Sequence, residues 1–408
     1  MKKRRWFWVW AWAALAFGIF SISNTEAAPP FKIGFIDGFT GPYANLAAET
    51  RLGVEIAIGE INSKGGILSR SIELVMRDDK LKPDAALRAG QDLVLSDKVD
   101  FLIGTTSSAC ALAVSGFAKE KKIPFIVTIA QSEHVTGKHG HRYVFRMTTN
   151  THLYSYADAH AAARLPIKKW WLLNPDYEYG HACYDQFKKM IKALKPDVEF
   201  VGEGWPKLGE PDYTPFLTPF MASEAGGLFS SVAGADFMKL VKTAKGLGMF
   251  PKKTLLGHDM GYLVSYVPLG KEMPEGIWGG TQYAFWLFKD NSKNKAFHQK
   301  FVDKIGYPPS LSGTQGYEIV WAIAKAAQKA NSVNPEKIID ALEGLKLDTF
   351  AGPVTLRNFD HQATWPFWYG QTKYTPDYPY PILTDVAKYQ DEAYPKEEDI
   401  IKARGGKK

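Results

Sequence analysis

From Phe31 onward the chain alternates short β-rich runs with helical stretches, and this alternation restricts it to a mostly parallel sheet covered by helices. Phe31 to Asp37 reads as a first strand and Gly38 to Pro42 as a turn. Tyr43 to Ser63 places Leu46, Leu52, Val54, Ile56, Ile58 and Ile61 on a helix that stops at Gly65-Gly66. Ser71 to Arg77, Asp100 to Gly104 and Pro124 to Ala130 read as further strands, with helices at Pro83 to Ser96 and from Thr105-Thr106-Ser107-Ser108 to Lys122. A second series follows Arg146-Met-Thr-Thr-Asn150. Its strands fall at Trp170 to Leu173, Val198 to Val201, Gly227 to Ser231 and Thr254 to Leu256, and its helices at Tyr179 to Leu194 and Ala235 to Leu247. Helical patterns return at Lys295 to Ile305, Gly316 to Ala330 and Pro335 to Leu345, and Thr355 to Tyr380 reads as strand and loop. Two successive α/β series imply two Rossmann-like lobes.

The first 27 residues stand apart. Lys2-Lys3-Arg4-Arg5, an apolar run from Trp6 to Ile22 and the exit Thr25-Glu26-Ala27 form a secretory signal peptide cleaved after Ala27, which predicts a periplasmic protein starting at Ala28. Arg4-Arg5 resembles a twin-arginine signal only faintly, and the strongly apolar run favours the general secretory route. The rival reading of residues 6 to 22 is a membrane anchor. That segment has four basic residues and one acid, so +4 of the chain's net +7 belongs to the remainder. Basic and acidic residues are interspersed there, which gives nucleic-acid binding no support. The stretch from Lys402 to Lys408 reads as a frayed, solvated tail, and Asp78-Asp79 as a solvated turn. Cys110 and Cys183 are expected to stay separate.

In an open α/β sheet a ligand sits beyond the carboxyl ends of the strands, where a helix N-terminus offers free N–H groups to an anion. Ser107-Ser108 stands at such a junction, as the cap and first residue of a helix, and Ala130-Gln131-Ser132 follows the next strand. The first turn adds Phe39 and Tyr43 at the same rim. His134, His139 and His141 cluster without a carboxylate or Cys at metal spacing, so neither metal nor cofactor is expected. No G-x-S-x-G, H-E-x-x-H or Walker loop occurs. Trp365 to Tyr369 reads as lobe packing.

The Thr40-Gly-Pro42 turn, the helix end Glu60-Ile-Asn-Ser-Lys-Gly-Gly66, the Tyr179-Gly180 pair, Gly257-His-Asp-Met-Gly261 and Gly352-Pro353 occur in an order that resembles periplasmic ligand-binding proteins of the leucine/isoleucine/valine type, which feed ABC transporters. The resemblance covers essentially everything after the signal. It implies lobe 1 at 28–149 plus 286–350 and lobe 2 at 150–285 plus 351–408, joined by a three-segment hinge that closes a ligand cleft. It also implies that Ser108, the Ala130 N–H and Ser132 hold a ligand carboxylate, that Tyr179 approaches from lobe 2, and that Asp259 holds an α-ammonium. Ser107, Tyr43 and Leu46 complete the expected site, with Tyr154 a further candidate for its lining. The implied partners are a small ligand and the membrane permease of an importer, with the protein itself a monomer.

Leucine-type relatives carry an aromatic residue where Leu46 stands, another near Ala233, and a Glu where Asp259 stands. These departures imply a roomier pocket. The expected ligand is therefore a branched-chain amino acid-like molecule or a related small carboxylate or amide, with an aromatic carboxylate as the alternative. Two other readings have less behind them: a secreted hydrolase using Ser108 lacks a motif for its base, and a non-transport sensor of this fold would normally lack a signal.

Overall fold

The computed structural model describes residues 28–406; the signal-peptide assignment therefore lies outside the described residues. Lobe 1 opens with β1 (Phe31–Asp37), α1 (Ala44–Ser63), β2 (Ile72–Asp78) and α2 (Pro83–Gln91). It continues with β3 (Phe101–Gly104), α3 (Ser108–Lys121), β4 (Phe125–Val127) and β5 (Val144–Arg146). All five strands run parallel in the order β2-β1-β3-β4-β5. β1, β3 and β4 are almost wholly buried, which explains their near-continuous apolar sequences; edge strand β2 is partly exposed.

Lobe 2 begins with α4 (Thr151–Arg164), β6 (Lys169–Leu173), α5 (Glu178–Leu194), β7 (Glu199–Gly204), α6 (Thr214–Ala222) and β8 (Gly227–Ser230). Next come α7 (Gly234–Gly246), β9 (Thr254–Leu256), α8 (Leu263–Leu269) and β10 (Trp278–Thr281). The chain then returns to lobe 1 with α9 (Ser292–Ile305), α10 (Leu311–Ala330), α11 (Pro335–Leu342) and the hairpin β11 (Lys346–Thr349)–β12 (Gly352–Thr355). A last passage adds β13 (Phe367–Lys373), β14 (Ile382–Tyr389) and α12 (Glu397–Ala403). The second sheet has the order β14-β13-β10-β9-β8-β6-β7; its β13 and β14 run antiparallel, so it is mixed rather than purely parallel.

Three buried side chains tie the segments that pass between the sheets. Arg146, fully buried, donates to Gln362 Oε1 at 2.7 Å, Ser132 O at 2.5 Å and Thr136 Oγ1 at 2.9 Å. Gln282 accepts from Thr149 N at 3.0 Å and Thr148 Oγ1 at 3.1 Å. Gln362 in turn donates to Ala363 O at 2.7 Å and, through the same nitrogen, to Thr148 O. Each crossing strand is thus anchored to another through groups that would be costly to bury unpaired.

Several elements differ from the sequence reading for identifiable reasons. The expected strand from Pro124 to Ala130 ends at Val127, because the N–H groups of Ile129 and Ala130 turn to Thr105 O at 3.3 and 2.9 Å. The helix expected to reach Ser96 does so, but it widens from α to π geometry over Asp92–Ser96. Asp79 is buried, not solvated, with Oδ1 accepting from Leu81 N at 2.7 Å, and burial pushes its carboxyl up to about 7. The C-terminal stretch is not frayed through Arg404: its guanidinium donates to Thr136 O at 2.8 Å, Gly137 O at 3.0 Å and Phe359 O at 3.1 Å. Trp365 packs in the main core, and Cys110 and Cys183 are both buried and free.

α1 and α10 cross closely because glycines remove the side chains between them. A Cβ on Gly316 would lie 2.1 Å from Thr50 O, and one on Gly53 would lie 2.1 Å from Gly313 O. Gly316→Ala is therefore expected to force the helices apart and cost about 1–3 kcal/mol, read as a lower midpoint in urea unfolding; an unchanged midpoint would contradict this packing.

Candidate functional site

A small cavity of about 20 Å³, in a cleft that opens to solvent, lies between the lobes. Lobe 1 lines it with Tyr43, Leu46, Thr106, Ile129 and Gln131, and lobe 2 with Tyr177, Tyr179, Ala233, Asp259 and Tyr262. The lobe 1 residues stand where the sequence places a ligand rim, at the turn after β1 and at the carboxyl ends of β3 and β4. None of these ten residues is a lysine or arginine.

Of the residues expected from sequence, Tyr43, Leu46, Tyr179 and Asp259 meet at this cavity. Ser107, Ser108, Ala130 and Ser132 are buried next to it, but their polar atoms face other partners. Ser107 caps α3, its hydroxyl 3.5 Å from Cys110 N. Ser108 Oγ accepts from Ser132 N at 3.1 Å, Ala130 N donates to Thr105 O at 2.9 Å, and Ser132 Oγ donates to Glu178 at 2.7 Å. The expected anion contacts are thus made within the protein. The neighbouring Thr106, whose Oγ1 is buried without a partner, faces the cavity instead. Its N–H is fixed by Asp37 Oδ1 at 2.7 Å; burial holds the Asp37 carboxyl up at about 6.

Tyr154 is buried behind the lining, where its hydroxyl receives Gln131 Nε2 at 2.8 Å and meets Tyr262 OH at 2.9 Å. Phe39 packs edge-on to Phe35 and is not part of the lining. Thr106, Gln131, Tyr177 and Tyr262 were not singled out by the sequence reading. Thr106 and Gln131 adjoin flagged residues, and only the position of the α3 cap decides which member of Thr105-Thr106-Ser107-Ser108 turns outward.

On the lobe 2 wall Tyr179 donates to Asp259 Oδ2 at 2.5 Å and meets His258 Nε2 at 2.7 Å. Asp259 Oδ1 is buried and has no partner. Burial pushes the Asp259 carboxyl above the usual range, more than His258 and Tyr179 offset. An acceptor left bare in this way is a place for a ligand's donor.

The two lobes touch directly across the cleft. Tyr43 OH lies 3.0 Å from Tyr177 OH, and Ala235 N donates to Pro42 O at 3.0 Å. Gly234 permits that approach: its φ is +61°, and a Cβ there would meet Pro42 O at 2.6 Å. At the rim, Glu178 of lobe 2 accepts from Ser132 Oγ and lies 2.8 Å from His134 Nδ1, while Gln186 donates to Glu133 at 2.8 Å. Of the three clustered histidines His134 serves the rim while His141 bonds Ser115 of α3, and the described residues contain no group of three or more ligands able to hold a metal. No helix among them is long and apolar enough to cross a membrane.

With this geometry in place, the comparisons with known proteins bear on the whole chain. A family model described as periplasmic binding protein matches residues 30–377. The chain belongs to the periplasmic binding protein family. It is 26% identical over 366 residues to the leucine-, isoleucine-, valine-, threonine- and alanine-binding protein of Pseudomonas aeruginosa, covering 89% of this chain and 94% of that one. Its fold matches an ABC transporter solute-binding protein from Rhodopseudomonas palustris in complex with 3,4-dihydroxybenzoic acid, at TM-score 0.79 and 23% identity over 88% of this chain and 97% of that one. It also matches a leucine-binding protein from Thermotoga maritima at TM-score 0.76 and 21% identity, covering 87% and 98%. The two-lobe α/β fold expected from the sequence is thereby established.

The rim contact between His134 and Glu178 is expected to depend on pH. The hydrogen bond to Glu178 raises His134 above its ordinary 6.5, against the opposing effect of burial. Burial pushes Glu178 up, but the bonds from His134 and Ser132 outweigh it and hold the carboxyl below its ordinary 4.5. The His134 contribution is complete below 6.5 and lost as pH rises through its raised value; that of Glu178 is complete above 4.5 and lost as pH falls through its lowered value. The contact is therefore fullest between 4.5 and 6.5. X-ray scattering of ligand-free protein is expected to show a larger radius at about pH 9 than at about pH 5.5, with the difference lost in His134→Gln. A radius independent of pH in the unaltered protein would contradict the role of this pair.

Proposed function

We propose that this protein is the periplasmic substrate-binding component of an ABC importer, exported by its N-terminal signal, and that it binds a branched-chain amino acid-like ligand between its lobes and presents it to a membrane permease. The observation that carries the ligand class is Asp259 Oδ1, buried and unpaired on a cavity wall that has no lysine or arginine. An α-ammonium supplies the missing donor and the compensating charge. Thr106 Oγ1 offers a second contact from lobe 1, while Ser107, Ser108, Ala130 and Ser132 hold the two strand ends in place. Leu46 and Ala233 give the lining an apolar part among the tyrosines, against which an aliphatic side chain would pack once the lobes part to admit it. A binding cycle without chemical change fits the absence of a nucleophile–base pair around Ser108.

A second reading has its own support. Four tyrosines line the cavity, and the Rhodopseudomonas palustris neighbour holds an aromatic acid. An aromatic carboxylate bearing a hydroxyl donor would also satisfy Asp259. Calorimetry with leucine and with benzoate separates the readings. Asp259→Asn is expected to weaken leucine by about 2–5 kcal/mol, roughly thirtyfold or more, through the loss of a buried charge partner. If benzoate is the better ligand and Asp259→Asn leaves it unchanged or tighter, the amino acid reading fails. Thr106→Val is expected to lower affinity about tenfold without lowering the melting temperature, since its hydroxyl has no partner in the free protein.

A further inference from the structure

Behind Asp259 lies a line of polar groups that ligand contact alone does not explain. Asp158 Oδ2 on α4 is 2.5 Å from His258 Nδ1, and Asp158 Oδ1 receives the Tyr369 hydroxyl from β13 at 2.7 Å. His258 Nε2 is 2.7 Å from Tyr179 OH, and Tyr179 OH is 2.5 Å from Asp259 Oδ2. All these residues are buried. The other groups facing the His258 ring are Tyr154 of α4, stacked at 4.4 Å, Cys183 Sγ of α5 at 3.6 Å from Nε2, and Phe229 of β8. Among the described residues no lysine or arginine is paired with Asp158 or Asp259.

With Asp158 kept as the acceptor of both the His258 Nδ1–H and the Tyr369 hydroxyl, counting protons along this line leaves two arrangements with every bond made. In one, His258 carries both ring protons: Nδ1–H donates to Asp158, Nε2–H donates to Tyr179, and Tyr179 O–H donates to a charged Asp259. In the other, the Nε2 proton has passed to the Tyr179 oxygen while the Tyr179 proton has passed to Asp259 Oδ2. His258 is then neutral and accepts from Tyr179, and Asp259 is a neutral acid that donates to it. The same protons are present in both, and the sum over Asp158, His258 and Asp259 is one negative charge in each. What differs is the charge on His258 and, in compensation, the charge on Asp259 at the cavity wall.

We propose that Asp259, Tyr179 and His258 form a proton relay that presents Asp259 as a carboxylate to a ligand with an ammonium group and as a neutral acid to a ligand without one. The proposal deepens the functional reading above and rests on Asp259 as a ligand contact. His258 is a positioning residue in it, acting through Tyr179. Burial opposes a charge on His258, yet Asp158 and Asp259 hold its pKa well above the usual histidine range, while Asp259 itself is raised by burial. The device removes the penalty that a fixed buried carboxylate would impose on an anionic ligand, so a single cleft accommodates both classes.

The test is nitrogen NMR of His258 in the full protein, with leucine and benzoate as probes. With leucine, Nε2 is expected to stay protonated; with benzoate, it is expected to shift downfield into the range of an unprotonated ring nitrogen. Calorimetry in two buffers of different ionisation enthalpy should show no net proton uptake with either. Tyr179→Phe should abolish the difference between the two ligands at Nε2. An identical Nε2 state with both ligands bound to the unaltered protein overturns the relay. A ligand-free arm keeps the proposal separable from the binding reading: Asp259→Asn should lower the His258 pKa by about one unit or more. An unchanged His258 pKa in that variant refutes the relay. If neither probe raises the melting temperature but the pKa falls, the assigned ligand classes fail and the coupling between Asp259 and His258 stands.

Discussion

A carboxylate oxygen buried without a donor is costly in a free protein, and the cleft is arranged around one at Asp259. Its other oxygen is held by Tyr179, which is held by His258, which is fixed in turn by Asp158 in the middle of α4, itself held by Tyr369 of β13. The geometry of the wall therefore derives from the lobe 2 core rather than from a surface loop. Because neither lobe offers a lysine or arginine to the cavity, recognition depends on hydroxyls, one amide and this acid.

The opposite wall depends on the carboxyl ends of β3 and β4. Thr105 O takes the N–H groups of Ile129 and Ala130, which ends β4 early and turns Ile129 and Gln131 toward the cavity. Asp37 fixes Thr106 from the end of β1. The two walls meet through Tyr43 on Tyr177, Pro42 on Ala235 and Gln131 on Tyr154 and Tyr262, and the rim adds Ser132 and His134 on Glu178 and Gln186 on Glu133, while Arg146, Gln282 and Gln362 tie the crossing segments.

Much of this fold was legible in the sequence because β1, β3 and α1 carry complete apolar patterns with clear stops. Strands such as β10, Trp278 to Thr281 with two central glycines, gave no periodic signal, and neither did α4, whose Ala, His and Tyr residues are buried on most sides. Tyr43 was placed at the rim from the turn after β1, whereas Leu46, Tyr179 and Asp259 were carried over from the family resemblance; all four line the cavity. Ser108, Ala130 and Ser132, expected as anion contacts, are bonded to Ser132 N, Thr105 O and Glu178, partners that only tertiary packing sets. Asp79 and Arg404 were misread for the same reason, since burial under a neighbouring segment leaves no local trace. Tyr177 and Tyr262 join the site through bonds to Tyr43 and Gln131 of the other lobe, which leave no local trace in the sequence.

The central claim is that a ligand donor completes Asp259 within a cleft closed by both lobes. A crystal structure of the protein with the tighter of the two calorimetric ligands tests this most directly. The expected result is a ligand nitrogen or hydroxyl within hydrogen-bond distance of Asp259 Oδ1, with Tyr43 and Tyr177 still facing each other across it. A ligand bound elsewhere, or bound in the cleft with Asp259 Oδ1 still unpaired, would contradict the account.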